Sequence, residues 1–258
     1  DTDEGYVFDT QEEIKPINLY EDEYNLSKRI LAAKASTEAI LSGNLDSTKK
    51  PLSAGVAIGD LNAAITDANN AAGTAGPDGI PEDASGKNLG AQFIVPVNCY
   101  DELGNAYKVN VSMWKKAVYT GAADAQFPIT SWYYTVNGGE NAGTGTPTTP
   151  ANGFLYFDSR GKLITESTIP GFNITPTISI NPVATTGAKP FDMKMDFTQL
   201  TMYADDSSVK PLRVDGYPPG TLVTFSVGAD GVLTGVYDNG RQSPLGRVGL
   251  AVFSNPAG

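Results

Sequence analysis

The chain of 258 residues contains no histidine and a single cysteine. The absence of histidine removes the commonest general base of enzymes and the commonest metal ligand of proteins. A single cysteine excludes an intrachain disulfide. No run of the sequence approaches the roughly 20 apolar residues that a membrane-spanning helix needs. The sequence therefore predicts neither histidine-based chemistry nor a membrane span.

Positive charge is also scarce, with 18 lysine and arginine residues against 29 aspartate and glutamate residues and a net charge of −11. Nucleic acids and anionic membranes bind basic surfaces, so we expect neither as a partner. The sequence lacks the motifs G-x-S-x-G, G-x-x-x-x-G-K-[ST], C-x-x-C and H-E-x-x-H. We therefore expect no enzymatic activity, no cofactor and no metal ion.

One acidic loop has a faint similarity to a calcium-binding loop. It contains Asp78, Glu82 and Asp83 but lacks the D-x-D-x-D-G spacing that places the ligands around the ion. We expect this loop to be a solvated surface segment without a bound metal.

Glycine and proline are abundant, at 28 and 17 residues, and apolar residues alternate with polar ones along most of the chain. This pattern is typical of a mainly β protein with many turns. It predicts strands at Thr37–Leu41, Phe93–Cys99, Tyr107–Met113, Ser131–Val136, Phe154–Asp158, Leu163–Glu166, Thr175–Ile180 and Phe191–Phe197.

The C-terminal fifth predicts a three-stranded β-meander. Val223, Phe225 and Val227 alternate with polar residues and are expected to share one buried face. The second and third strands are expected at 232–236 and 248–252, and the Asp238–Gly240 turn is expected to be a primed hairpin turn.

One short helix is predicted near residues 60–72, where Asp60 can cap the first turn and Gly73 can end the last. The sequence pattern changes near Gly90 and again near Leu200, and residues 201–220 show no strong period. We therefore expect two β-rich domains, with the second (91–200) inserted into the first (1–90 plus 201–258), because chain termini that lie close together make insertions structurally inexpensive.

Cys99 and a group of aromatic residues can each be interpreted either as core residues or as residues with a chemical role. Cys99 shares a strand face with Val95 and Val97, which favours a small apolar core residue over a reactive thiol. The aromatic residues are expected to be core residues, although on a strand surface they could line a sugar-binding platform: Trp114, Trp132, Tyr133 and Tyr134.

Four segments in family order resemble the bacterial flagellar hook protein family. They are LAAKASTEAILSGNLDS (Leu31–Ser47), CYDELGNAYKVNV (Cys99–Val111), GFLYFDSRGKL (Gly153–Leu163) and the C-terminal stretch from Asp215 to Gly258. The resemblance implies a structural subunit that assembles with copies of itself into the flexible tube joining the rod to the filament. It implies a middle domain at 1–90 plus 201–258, an outer domain at 91–200, and a chain trimmed of its terminal polymerising helices.

The resemblance also implies partners and a location. The partners are further copies of the chain and the rod, hook-cap and hook–filament junction proteins, and the location is the flagellum outside the cytoplasm. In having a cysteine at the position of Cys99, the chain resembles spirochaete hook proteins. This resemblance implies a periplasmic hook. It also implies an intersubunit lysinoalanine crosslink between Cys99 and an upstream lysine, for which Lys87 is the candidate. The alternatives are a distal rod protein and a carbohydrate-binding or adhesive β-module.

Overall fold

The computed structural model describes residues 28–53, 57–58, 81, 88–121, 128–138, 151–165, 173–182 and 186–249. Within these ranges the chain forms strands and turns, which confirms the predicted mainly β fold. The strands are β1 (Ile30–Leu31), β2 (Glu38–Asp46), β3 (Ala57–Ile58), β4 (Phe93–Tyr100), β5 (Ala106–Gly121), β6 (Ile129–Gly138), β7 (Ala151–Phe157), β8 (Thr177–Ile180), β9 (Phe191–Tyr203), β10 (Lys210–Val214), β11 (Gly220–Val227), β12 (Val232–Tyr237) and β13 (Gln242–Arg247). The predicted helix near 60–72 and the acidic loop with Asp78 lie outside the described residues.

The chain divides into two compact units. The smaller unit combines Asp1–Ala33 with Pro218–Gly258 and contains one sheet of strand order β1-β11-β12-β13. The larger unit, Lys34–Tyr217, contains a sheet of order β10-β2-β9-β8 and a second sheet of order β3-β5-β6-β7, in which β4 also pairs with β5.

The two sheets of the larger unit pack on a shared hydrophobic core. Tyr134 of β6 meets Phe197 of β9 with ring centroids 4.8 Å apart. The indole Nε1 of Trp132 donates to Sδ of Met202 at 3.4 Å. Both contacts run from one sheet to the other, so the sheets form a β-sandwich whose layers are joined by aromatic and thioether side chains.

The predicted domain boundaries near 90 and 200 differ from this division. Strand β2 pairs in parallel with β9, from Glu38 opposite Lys194 to Asp46 opposite Tyr203. This pairing places residues of both predicted domains in one sheet, and the contact boundaries fall instead between 33 and 34 and between 217 and 218. The assignment of the units to a middle and an outer hook domain stays a prediction.

Four hairpin turns share one hydrogen-bonding pattern. At Asp101–Asn105, for example, the Asp101 N–H donates to the Asn105 carbonyl and the Gly104 N–H donates to the Asp101 carbonyl. The same pair of bonds recurs at Asp158–Lys162, Gly228–Val232 and Tyr237–Arg241, each with a glycine at positive φ in the fourth position. These are three-residue hairpin loops, so the turn predicted at Asp238–Gly240 is confirmed in its position, although it is not of the primed type.

Two further predictions about strands were wrong, and one lies partly outside the described residues. The segment after Leu200 was expected to be a connector, yet it contains β10, which pairs with β2. The third strand of the meander is Gln242–Arg247, because the turn ending at Gly240 returns the chain directly to β12, and residues 250–252 of the strand expected at 248–252 lie outside the described residues. Residues 162 and 163 form only isolated bridges, since Leu163 pairs with Phe157 and Lys162 turns to Thr201 of the other sheet.

Alanine substitutions at Gly161 and at Gly187, which lies in the same unit, test the contact between the 158–162 turn and β9. Both have positive φ (75° and 72°), but a Cβ at 161 would overlap the carbonyl oxygen of Met202, whereas one at 187 meets nothing within 4 Å. We expect G187A to cost about 1 kcal/mol from the backbone conformation alone. G161A should cost roughly 2 kcal/mol more, because the backbone contact must also open.

Urea unfolding followed by tryptophan fluorescence measures both losses. Trp114 and Trp132, the two tryptophans of the chain, lie in the larger unit, so the signal reports that unit. Equal losses in the two variants would contradict the proposed contact between the 158–162 turn and β9.

Candidate functional site

Cys99 lies on β4 with its side chain in the sandwich core. Its side chain is 0% exposed, and its neighbours in the core include Val97 of the same strand and Val109 of β5. Residue 107 of β5 stands directly opposite, and the thiol Sγ donates to the Tyr107 carbonyl at 3.6 Å. In this conformation the thiol is therefore a packed core group.

The turn that follows Cys99 is organised by the buried carboxylate of Asp101. Its Oδ1 accepts the backbone N–H groups of Leu103 and Asn105, both at 2.9 Å. Its Oδ2 accepts the Asn105 side-chain amide and the Tyr107 hydroxyl, both at 2.8 Å. Four donors satisfy one carboxylate, which is the arrangement a buried charge requires.

The pKa values of this cluster follow from burial and from the Asp101 charge. Burial raises the pKa of the Cys99 thiol to about 12, and the Asp101 carboxylate adds to this rise. Burial and the hydrogen bond to Asp101 likewise raise the pKa of Tyr107 to about 12. Burial raises the pKa of Asp101 itself, but the hydrogen bonds from Asn105, Tyr107 and the turn backbone together bring it below its usual value. At neutral pH the thiol is thus protonated and the carboxylate is charged.

The structure does not bring the two predicted crosslink residues together, because Lys87 lies outside the described residues. The sequence reasoning missed another unusual lysine, Lys115 of β5, which is 6% exposed and donates from Nζ to the Ser47 carbonyl. Burial lowers the pKa of Lys115, and the charge of Asp46 opposes this effect. Lys115 is eight residues beyond the partner of Cys99 on β5, or roughly 26 Å along the strand, so it cannot reach Cys99 in the same subunit.

Lys115 instead connects the two sheets of the sandwich. Its backbone N–H donates to Oε1 of Gln92, and its carbonyl accepts the Leu52 N–H. Strand β5 also carries Lys108, Asn110 and Lys116, so no sequence pattern could have singled out Lys115 before the structure.

The aromatic residues considered for a sugar platform are all buried. Trp114, Trp132, Tyr133 and Tyr134 are between 0 and 4% exposed. Trp132 and Tyr134 face the core, while Trp114 and Tyr133 lie on the other face of the same sheet, with ring centroids 6.0 Å apart. A platform for stacking a sugar must be open to solvent, so this set does not form one.

Neither a metal centre nor a membrane helix is found within the described ranges. No group of three or more His, Cys, Asp or Glu side chains there is arranged to hold a metal ion. Among the same residues, no helix has the length and apolar character to cross a membrane.

The family model described as "Flagellar basal body protein FlaE D2 domain" matches residues 60–217, which is well over half of the chain. The chain is 41% identical to the flagellar hook protein FlgE of Borreliella burgdorferi over 59 residues, covering 23% of this chain and 13% of that protein. It is 33% identical to FlgE of Treponema pallidum over 135 residues, covering 45% of this chain and 29% of the relative.

A third relative is FlgE of Salmonella typhimurium, which is 31% identical over 163 residues. That alignment covers 63% of this chain and 35% of the relative. The matches thus extend over at most about a third of the length of these three relatives.

Replacement of Asp101 by asparagine tests the buried carboxylate. Because folding lowers its pKa, the charged group stabilises the fold at neutral pH, and this contribution is lost as the pH falls below about 4. In D101N the new amide donors would face the Asn105 amide and the Tyr107 hydroxyl. We expect a loss of about 2 kcal/mol at pH 7 that shrinks toward acid pH.

The control is D158N, in the turn of the same pattern. Asp158 accepts the backbone N–H groups of Arg160 and Lys162 but is more exposed than Asp101. Urea unfolding of both variants between pH 3 and 7 should show the smaller loss for D158N. A loss in D101N that is independent of pH would contradict the role of the Asp101 charge.

Proposed function

Because the chain belongs to the flagellar hook protein family, we propose that the protein is a structural subunit of the bacterial flagellar hook. Its copies assemble into the flexible tube that couples the rod to the filament. The family match over residues 60–217 is the observation that carries this proposal. The match lies entirely in the larger unit, and it favours a hook subunit over a distal rod subunit.

A tube arises when one surface of a subunit binds a different surface of the next and the contact does not close into a ring. A tube that bends also needs contacts that can slide, which favours small, polar and hydrated interfaces. The outward face of β9 suits such contacts, because Asp192 and Lys194 alternate with the buried Met193 and Met195.

We assign different roles to the two units within the subunit. The smaller unit, with its sheet β1-β11-β12-β13, forms the wall of the tube, and the larger unit carries the outer surface. The partners in this proposal are further copies of the chain together with the rod, the hook cap and the hook–filament junction. The site of action is the flagellum outside the cytoplasm. The relatives in Borreliella burgdorferi and Treponema pallidum, both spirochaetes, support a periplasmic flagellum.

We further propose a covalent crosslink between neighbouring subunits that starts at Cys99. A base removes the Cα proton of Cys99, the Cβ–S bond breaks, and hydrosulfide leaves behind a dehydroalanine. The uncharged amine of a lysine, with Lys87 as the candidate, then adds to Cβ, and Cα takes up a proton. The product is lysinoalanine, and the net loss is one H₂S.

The burial of Cys99 sets a condition on this reaction. In the single subunit the thiol is 0% exposed and its pKa is about 12, so neither a base nor a lysine of a neighbour has access to it. Strand β4 pairs with β5 through eight residues, and the Tyr100 N–H and carbonyl bond to Ser36. The crosslink therefore requires β4 to separate from the sandwich, which makes it a slow step that follows assembly.

Assembly is the test of the hook function. The full-length protein should polymerise into tubes of uniform diameter, observed by negative-stain electron microscopy, whereas residues 34–217 alone should remain monomeric in analytical ultracentrifugation. Failure of the full-length protein to form tubes across salt and precipitant conditions would overturn the proposal.

Mass spectrometry of denatured native hooks tests the crosslink. We expect a peptide with Cys99 joined to a peptide with Lys87, lighter by one H₂S than the two together. The variant C99A should assemble into tubes that dissociate fully in denaturant, and K87R should do the same. A free thiol at Cys99 throughout, or a crosslink that survives in K87R, would refute the pair as proposed.

A further inference from the structure

Strand β11 presents a row of apolar side chains to solvent. Val223 is 68% exposed, Phe225 53% and Val227 57%. These residues were expected to form the buried face of the meander, and that expectation was wrong. An apolar row left exposed on a strand marks a contact surface or an aggregation hazard.

The pairing of β11 with β12 explains why Phe225 is not covered within the smaller unit. Phe225 stands opposite Gly235 of β12, so no cross-strand side chain covers its ring. The buried apolar side chains of this sheet are Leu245 and Tyr237, and Leu222 and Leu245 lie beside Gly235. A side chain at 235 would displace Leu222 and Leu245, so the sheet cannot fill the space beside Phe225 without losing its own core.

Among the described strands, pairing along one edge of β11 stops near Leu222. Strand β1 pairs with β11 only at Gly220 and Thr221, with one further bond from the Leu222 N–H to the Arg29 carbonyl. From Val223 to Val227, no other described strand pairs with that edge of β11.

The distribution of charge along the sequence indicates which partner this surface can bind. No residue from Gly216 to Ala229 carries a charge, although the chain as a whole has a net charge of −11. Two copies of such an acidic chain repel each other over most of their surface, and the repulsion is least where the charge is absent. A second copy of this acidic chain therefore meets the least electrostatic repulsion at β11.

We propose that the apolar row of β11, formed by Val223, Phe225 and Val227, is a docking surface for a second copy of this chain. The proposal rests on the hook function above, because it names the surface through which one subunit of the assembly holds the next. Burial of the Val223 and Phe225 side chains supplies the affinity of the contact.

The double variant V223T/F225T in the full-length protein tests the surface. Threonine keeps the β propensity of the strand and removes most of the apolar contact. The matched control is I94T/L212T, which changes two apolar residues of similar exposure, 52 and 56%, on β4 and β10. The measurements are the critical concentration for polymerisation, by sedimentation, and the urea midpoint of the unassembled protein, by circular dichroism.

We expect V223T/F225T to raise the critical concentration at least about 10-fold with an unchanged urea midpoint, and the control to change neither. An unchanged critical concentration, in a protein whose wild type assembles, would overturn the docking surface and leave the hook function standing. A lowered urea midpoint would show that the row is covered within its own subunit, which also overturns the proposal. A wild type that never assembles would overturn both.

Discussion

The parallel pairing of β2 with β9 is the contact on which the larger unit depends. It joins residues 38–46 to residues 191–203, so everything between them forms one long crossover. The sheet of β4 to β7 lies within that crossover and packs its apolar face on the sheet formed by β2 and β9. The entropy of closing so long a loop is recovered only when both sheets are in place, which makes the sandwich a single folding unit.

The hairpins supply local order to this non-local fold. Turns in both units share one loop geometry. In each, an aspartate or asparagine side chain accepts a backbone N–H and a glycine has positive φ. At Asp101 the acceptor is buried and binds four donors, whereas at Asp158 it lies nearer the surface. The same loop geometry thus forms a simple turn at Asp158 and a buried polar cluster beside Cys99 at Asp101.

The burial of Cys99 connects the architecture to the proposed chemistry. A thiol packed between two sheets is inert, and the fold protects it by desolvation and by the neighbouring Asp101 charge. Reactivity would then be governed by the stability of one strand of the sandwich, not by the intrinsic nucleophilicity of the residue. The opposite situation holds at β11, where a row of apolar residues is exposed and Phe225 has only Gly235 opposite it.

The sequence by itself determined the β class, the positions of most strands and the turn at Asp238–Gly240, since alternation and turn residues act over a few neighbours. It also placed Cys99 on the same strand face as Val95 and Val97. Only the tertiary structure decided which strands pair, that β10 exists, that Lys115 is buried and that the β11 row is exposed. Pairing and burial depend on residues more than a hundred positions away, such as Lys194 opposite Glu38, and no local pattern contains that information.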